Sequence, residues 1–348
     1  MSKLRISIAI STLLLSVLWT AAGAHHSRAN FLLDQTVTIS GTVKEFAFRS
    51  PHAWITVAVP GPNGKTVDYV IEGGSVGSLR RFGWNKDSLA IGDRVTVIGN
   101  PDRKPENRLL YLSSVAKADG TVLVVSGEPA VAAKGKQLEI KPSTDFSGIW
   151  TRVATEDYFN VGAFSPPTHW PLNDKGREQV ERFTMRDDPL VNCVPITLPR
   201  LAYGPFRHRW TRDGDVLITE KELSPFNRKI KLGERSFPET LEPTRQGTSR
   251  GWLDDDGALV IETRGFTADA WGNYRGLDSS TEKVVTEHYV LAEDGLSMTL
   301  TLTVEDPIYL SAPYSETWKF VKGPDFKGDL AKSDCDPESA RRHLEFED

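Results

Sequence analysis

The chain holds only two cysteines, Cys193 and Cys335, in 348 residues. Neither has a neighbour at Cys-x-x-Cys spacing, which argues against a zinc ribbon or a thioredoxin-like redox site. A P-loop, a dinucleotide fingerprint and a Gly-x-Ser-x-Gly elbow are all missing, so no phosphate cradle or activated serine announces itself. Lysines and arginines are scattered rather than gathered into a stripe, and the net charge is −5. No field of that sign attracts nucleic acid. After the first two dozen residues no apolar run is long enough to cross a bilayer.

What is present begins with an export leader. Lys3 and Arg5 form a positive n-region, Ile6 to Leu18 an apolar h-region, and Ala22 and Ala24 the small residues of an A-x-A cleavage site. The expected address is periplasmic or secreted. In an oxidising compartment a lone pair of cysteines reads as a Cys193–Cys335 disulfide, which also removes either from consideration as a catalytic thiol. Cleavage after Ala24 makes His25 the new N-terminal residue, with His26 beside it. A free amine next to imidazoles is a donor set for a late first-row metal, copper ahead of zinc or nickel. The competing reading is a frayed, polar chain end.

Residues 25–126 are expected to form a first domain. Short β-type runs at Thr36–Phe48, Trp54–Val59 and Val67–Glu72 precede a short helix over Ser75–Phe82, with Ser75 as its N-cap. Gly41 reads as a bulge or bend in the first run. Two further strands follow at Arg94–Gly99 and Leu109–Ala116. Three strands, a helix and two strands give the element order of a five-stranded OB-like barrel. The strings HHSRANF, SPHAWI, IEGGS, LRRFGWNKDSL and GDRVTVIGNP resemble a family of small exported bacterial proteins known as a domain of unknown function. The resemblance implies a secreted OB-like barrel and no assigned activity. His52, after Pro51 at the mouth of the first hairpin, joins His25 and His26 as a third candidate copper ligand. Its alternative role is a hydrogen-bonded residue at a strand start. Phe46, Phe48 and Trp54 could form a base-stacking face of the kind OB folds offer, but without basic clustering that reading is weak.

Gly127–Thr144 lacks periodicity and reads as a linker. The second domain is expected over 145–336, with 337–348 as a tail. It opens on Gly148-Ile149-Trp150, the Gly-x-Trp pattern with which lipocalin-like barrels begin and whose Trp closes the barrel floor. One helix is expected over Asn173–Phe183, after a proline-rich irregular stretch. Asp213-Gly214, Asp256-Gly257 and Asp294-Gly295 each separate two β-type runs, a strong hairpin signal. With strands at Ile149, Arg228–Leu232 and Tyr314–Val321, the count of eight or nine fits an antiparallel lipocalin-like barrel or a sandwich. RDDPLVNC, GWLDDDGALVIETRGF, DAWGNYRG and SETWKF are similar to exported bacterial proteins of unknown function, which implies no reaction.

Asp254-Asp255-Asp256 lacks the ligand spacing of a calcium loop and runs into a hairpin turn. His288 and its neighbour Glu287 point to opposite faces of a strand and cannot act as an acid–base pair. Aromatics on irregular stretches are the better candidates for a pocket rim, Trp170, Tyr203, Trp271 and Tyr274, with Arg207, Arg264, Arg275 and His169 as candidate polar anchors. The expected function is an exported binding or accessory protein with an N-terminal copper site and a pocket for a small apolar or aromatic ligand. The rival is a periplasmic enzyme, a hydrolase or lyase on aromatic or sugar substrates, with its site in the second domain. A purely structural envelope protein is a third reading. The oligomeric state is left open.

Overall fold

The computed structural model describes residues 30–61, 64–125, 140–153, 165–204, 206–222, 224–324, 330 and 334–346. The expected leader, His25, His26 and most of the expected linker lie outside them.

The first barrel is built from β1 (Val37–Ala47), β2 (His52–Pro60) and β3 (Thr66–Ser75), then helix α1 (Val76–Arg81), then β4 (Arg94–Pro101) and β5 (Leu109–Lys117). The order β3-β2-β1-β4-β5, closed by a parallel β3–β5 pairing, makes a five-stranded barrel, and β6 (Val122–Val124) adds an edge the sequence reading did not foresee. Ser75 caps α1 as expected, its side chain accepting from the Ser78 N–H. Period-two alternation turns Ile39, Val43, Ile55, Val57, Ile71, Val95, Val97, Leu110, Leu112 and Val115 into one apolar core. Gly41 is not a bulge. It is a point of close approach: a Cβ there would stand 2.3 Å from the carbonyl oxygen of Ala58, and the β1–β2 register shifts later, between Val43 and Glu45.

The second barrel starts at β7 (Gly148–Arg152). Helix α2 (Asp174–Glu181), capped by Asn173, and the one-turn α3 (Arg200–Tyr203) precede β8 (Arg207–Asp213), β9 (Val216–Lys221), β10 (Asn227–Leu232), β11 (Thr248–Leu253) and β12 (Leu259–Arg264). A small pair, β13 (Asp269–Tyr274) and β14 (Leu277–Ser279), stands outside the wall, which resumes with β15 (Val284–Leu291), β16 (Ser297–Glu305) and β17 (Tyr314–Gly323). The wall closes as β10-β11-β12-β15-β16-β17-β7-β8-β9, which makes it a barrel and not a sandwich. A ring of nine strands cannot alternate direction throughout, so one pair must be parallel. That pair is β10–β11, and residues 233–247 carry the chain back along the barrel to make it.

All three Asp-Gly hairpins close the same end, since Asp213↔Val216, Leu253↔Leu259 and Leu291↔Met298 are the last pairs of their ladders. Trp150 lies buried in the core near this floor, its indole N–H donating to Phe146 O at 2.8 Å. The opposite end carries the long connections, including 153–206 and 265–283. Tight turns at one end and long segments at the other place any functional opening at the second end.

Residues 337–346, expected as a tail, are an ordered arm. Helix α4 (Pro337–Arg341) lies against β2. Trp54 donates its indole N–H to Ser339 O and stacks on Phe346, while Arg342 forms a two-pronged ion pair with Glu45 at 2.9 and 2.8 Å. The hydrogen bond from Arg342 is the chief reason the Glu45 carboxyl is held below its usual value. The arm covers the face on which Trp54 was a candidate base-stacking residue, so that reading fails for Trp54. The Cys193–Cys335 disulfide is formed and ties the arm to the second barrel. Arg81 of α1 reaches the buried Glu222 at 3.0 Å, and Arg207 meets the same carboxylate at 3.0 Å, which joins the two barrels at a second place.

Candidate functional site

Alternation along the second barrel's strands should fill its interior with apolar side chains, and near the floor it does. Trp210, Leu217, Ile230, Leu259, Ile261, Met298, Leu300 and Phe320 share one core. One turn of the wall higher the inward positions become polar. His208, Lys221, Ser249, Thr263 and Glu287 are buried and Arg228 is partly so, and cross-strand pairing sets them beside one another: His208 opposite Lys221, Ser249 opposite Thr263.

This layer is wired around Glu287. Arg228 holds its carboxylate with both nitrogens, at 3.2 and 2.7 Å, and also donates to Ser249 Oγ at 3.1 Å and Thr263 Oγ1 at 3.2 Å. The Tyr289 hydroxyl donates to Glu287 Oε1 at 2.9 Å. Burial, and then the Glu287 charge, push that phenol well above its ordinary value. Burial holds the His208 imidazole well below its ordinary value, with Lys221 and Arg228 adding repulsion, so His208 is neutral. Burial also brings the Lys221 ammonium down to about 7, with Arg152 and Arg228 pushing the same way and Glu287 opposing.

A lid closes the layer from above. After the 3-10 turn Pro189–Asn192 the chain runs through Leu198 to α3. Three cations rising from the second domain hold this segment by its backbone: Lys283 donates to Leu198 O at 2.8 Å, Lys221 to Leu201 O, and Arg152 to Tyr203 O. The lid's base is the buried pair Arg200–Asp188, bonded at 3.0 and 2.5 Å. Burial works to raise the Asp188 carboxyl, but the Arg200 guanidinium outweighs it and the net shift is downward.

Between lid and polar layer lies a cavity of about 30 Å³, lined by Leu198, Leu201, Ala202, His208, Trp210, Lys221, Arg228, Glu287, Tyr289, Leu300 and Phe320 among others. Two of its lining groups, His208 Nε2 and Trp210 Nε1, have no hydrogen-bond partner among the described residues. An unsatisfied buried polar atom costs about 1–3 kcal/mol, so two on one cavity wall need a reason.

The residues singled out from sequence divide into two sets. His169, Trp170 and Tyr274 come together with Tyr203 of the lid. His169 Nε2 lies 3.0 Å from the Tyr314 hydroxyl, Trp170 stacks on Tyr314 at 4.4 Å, and Tyr203 meets Tyr274 edge-on at 4.6 Å. Their rings pack on one another as a plug rather than lining an open pocket. Trp271 and Arg264 do not join them. Trp271, at a positive φ of 53°, stacks on Phe183 and lies 5.4 Å from the Arg200 guanidinium. Arg264 pairs with Glu262 on the outer wall at 2.5 Å. His288 faces outward, 2.8 Å from Asp254, opposite in direction to Glu287 as expected.

The polar layer itself was missed. Its signal is a charge in phase with apolar residues: Glu287 lies between Val285 and Tyr289 at period two, and Lys221 follows Leu217 and Thr219. In the first barrel, His52 Nδ1 pairs with Glu72 Oε1 at 2.6 Å. No cluster of three or more His, Cys, Asp or Glu with metal-holding geometry occurs among the described residues.

Residues 13–110 match a family of unknown function, DUF6152. No curated protein matches the chain. Among solved structures it is similar to a protein titled REP1-NXSQ fatty acid transporter, at 16% identity and a TM-score of 0.26, over 53% of this chain and 100% of that one. A score that low carries no argument about fold or ligand. No helix among the described residues is long and apolar enough to cross a membrane.

Proposed function

We propose that the second barrel binds a small ligand bearing a carboxylate or an equivalent acceptor group, within an exported protein whose first barrel is an OB-like accessory module. One observation carries the reading: His208 and Trp210, whose Nε2 and Nε1 are buried and unpartnered among the described residues, line the same cavity as Lys221. An acceptor placed there would satisfy the Trp210 indole N–H, and His208 Nε2 in the tautomer that carries its hydrogen there, both of which the fold leaves idle. Leu198, Ala202, Leu300 and Phe320 supply apolar wall for a short hydrocarbon body. The cavity has room for about two or three water-sized groups, so a ligand such as propionate enters only if the lid gives way. Buried charges also make poor stabilisers compared with apolar residues of the same volume, so function is the better account of this layer.

The ligand competes with the lid for Lys221. A carboxylate accepting from its amine would relieve the bond to Leu201 O and loosen the lid at one of its three fastenings. The test is a nuclear magnetic resonance titration of the His208 ring with propionate. A saturable shift of the His208 signals, absent for the exposed His288, supports the reading. Ordered water alone in the cavity, with no shift, refutes it.

A copper centre at the processed N-terminus remains a second proposal, resting on His25, His26 and His52. The observation favouring it is the Glu72 carboxylate on His52 Nδ1. A ring fastened in this way presents its other nitrogen, as metal-bound imidazoles do. Copper titration of correctly processed protein, with electron paramagnetic resonance, tests it. Unchanged binding in His25→Ala would refute it.

A further inference from the structure

We propose that Lys221 is a carbonyl-capturing amine, and that the cavity beneath the lid seats a small aldehyde or ketone against its Nζ, with His208 placed to move the proton. The inference deepens the proposed binding role, because it uses the same cavity and names a second ligand class for it.

Geometry is the first support. His208 and Lys221 are paired directly across β8 and β9, so their side chains leave the wall side by side on its inner face. Both line the cavity. The Lys221 amine donates to the Leu201 carbonyl and makes no ion pair with a described carboxylate. A neutral amine donating one hydrogen keeps its lone pair for attack. His208 Nε2 is buried, unpartnered among the described residues and neutral, which suits it to accept a proton and return it.

Lys283 supplies the internal control. It is as deeply buried as Lys221 and is likewise brought down to about 7 by burial. But its amine is enclosed by three acceptors, Leu198 O, Gly272 O and Ser279 Oγ, and it does not line the cavity. If burial alone made a reactive amine, both lysines would react. If the cavity and His208 matter, only Lys221 does.

The chemistry balances without a cofactor. Lys221 Nζ bonds to the carbonyl carbon and gives a carbinolamine. The former carbonyl oxygen then leaves as water, with both hydrogens of the amine nitrogen, and an imine remains. Nothing is oxidised or reduced. Around neutral pH the lowered proton affinity of Lys221 leaves on the order of a thousandfold more free amine than an exposed lysine has. Arg152, Arg228 and Glu287 are the charges that face it, the two cations favouring the neutral amine and the carboxylate opposing.

The experiment treats the full-length mature chain with propanal and cyanoborohydride at pH 7, which fixes imines as secondary amines, and maps the products by peptide mass. The expected result is N-propyl-Lys221 formed at least about tenfold faster than adducts on the exposed Lys44 and Lys86, with Lys283 unmodified. Lys221→Arg should remove the adduct while near-ultraviolet circular dichroism stays that of the wild type. His208→Phe should slow the adduct with Lys221 still present. Propionate should protect Lys221. Labelling of Lys221 no faster than Lys86, in protein that binds propionate, overturns the imine and leaves the binding role standing. Failure of both labelling and propionate binding overturns both.

Discussion

The two barrels solve the same problem in different ways. The first closes five strands over an interior of valine, isoleucine and leucine, and its buried carboxylates, Glu72 and Asp102, stand outside that cluster. The second closes nine strands, and with the wider interior comes a layer holding Arg228, Glu287, Lys221 and His208 above an apolar floor. Barrel width grows with strand number, and a wider barrel has interior positions that side chains alone do not have to fill. The lesson is that the smaller barrel needs every inward residue for its core, while the larger one can give some of them to chemistry.

Breaking the connection between the barrels should have the largest effect. The Cys193–Cys335 bridge closes a loop with a sequence separation of 142. Its removal in Cys193→Ser/Cys335→Ser should cost about 4–5 kcal/mol in the chain-entropy model, read by denaturant unfolding of oxidised and variant proteins. Next comes the polar layer. Glu287→Gln leaves the Arg228 guanidinium buried without its counter-charge and should cost about 3–5 kcal/mol. Arg228→Met combined with Glu287→Leu, which makes the second barrel resemble the first, should recover that loss and stabilise by up to about 4 kcal/mol. Stability recovered together with lost ligand binding would separate the layer's function from any structural role.

How much of this could be read from the residues follows the same division. Hairpins announced themselves because Asp-Gly pairs admit the positive φ their turns demand, as at Gly214 and Gly257. Element order and core of the first barrel were legible from alternation alone. The disulfide followed from the cysteine count together with the expected oxidising compartment. The polar layer was not legible as a site, because Lys221 and Glu287 occupy single positions in strands that face one another across the interior only after the ring closes. The arm was equally hidden. PESAR is a weak helix on its own, and what fixes it is Trp54, nearly 300 residues earlier in the chain at a sequence separation of 285. Trp271 was selected for lying in an irregular stretch, but it falls within β13 and its ring packs against Phe183.

A further effect sharpens the contrast through pH. Lys221 binds its proton less tightly when folded, at about 7, than an exposed lysine does, near 10.4. Between those values the unfolded chain carries a proton that the folded chain lacks, so stability rises with pH across the window. Below pH 7 the burial penalty is present in full. Lys221→Met should therefore flatten the rise between pH 7 and 10, with Lys283 sustaining the remainder, in melting temperatures taken across that range. The smallest effect belongs to the first barrel. Ile71→Val deletes one methylene from an apolar core and should cost roughly 0.5–1.5 kcal/mol at every pH, with ligand binding unchanged.

The central claim, that the second barrel's polar layer is a ligand site, is tested most directly by titration calorimetry with propionate. The account predicts one saturable site per chain, lost in His208→Phe and in Lys221→Met and retained in Arg264→Ala and Ile71→Val. No saturable heat, or the same binding in all four variants, would contradict it.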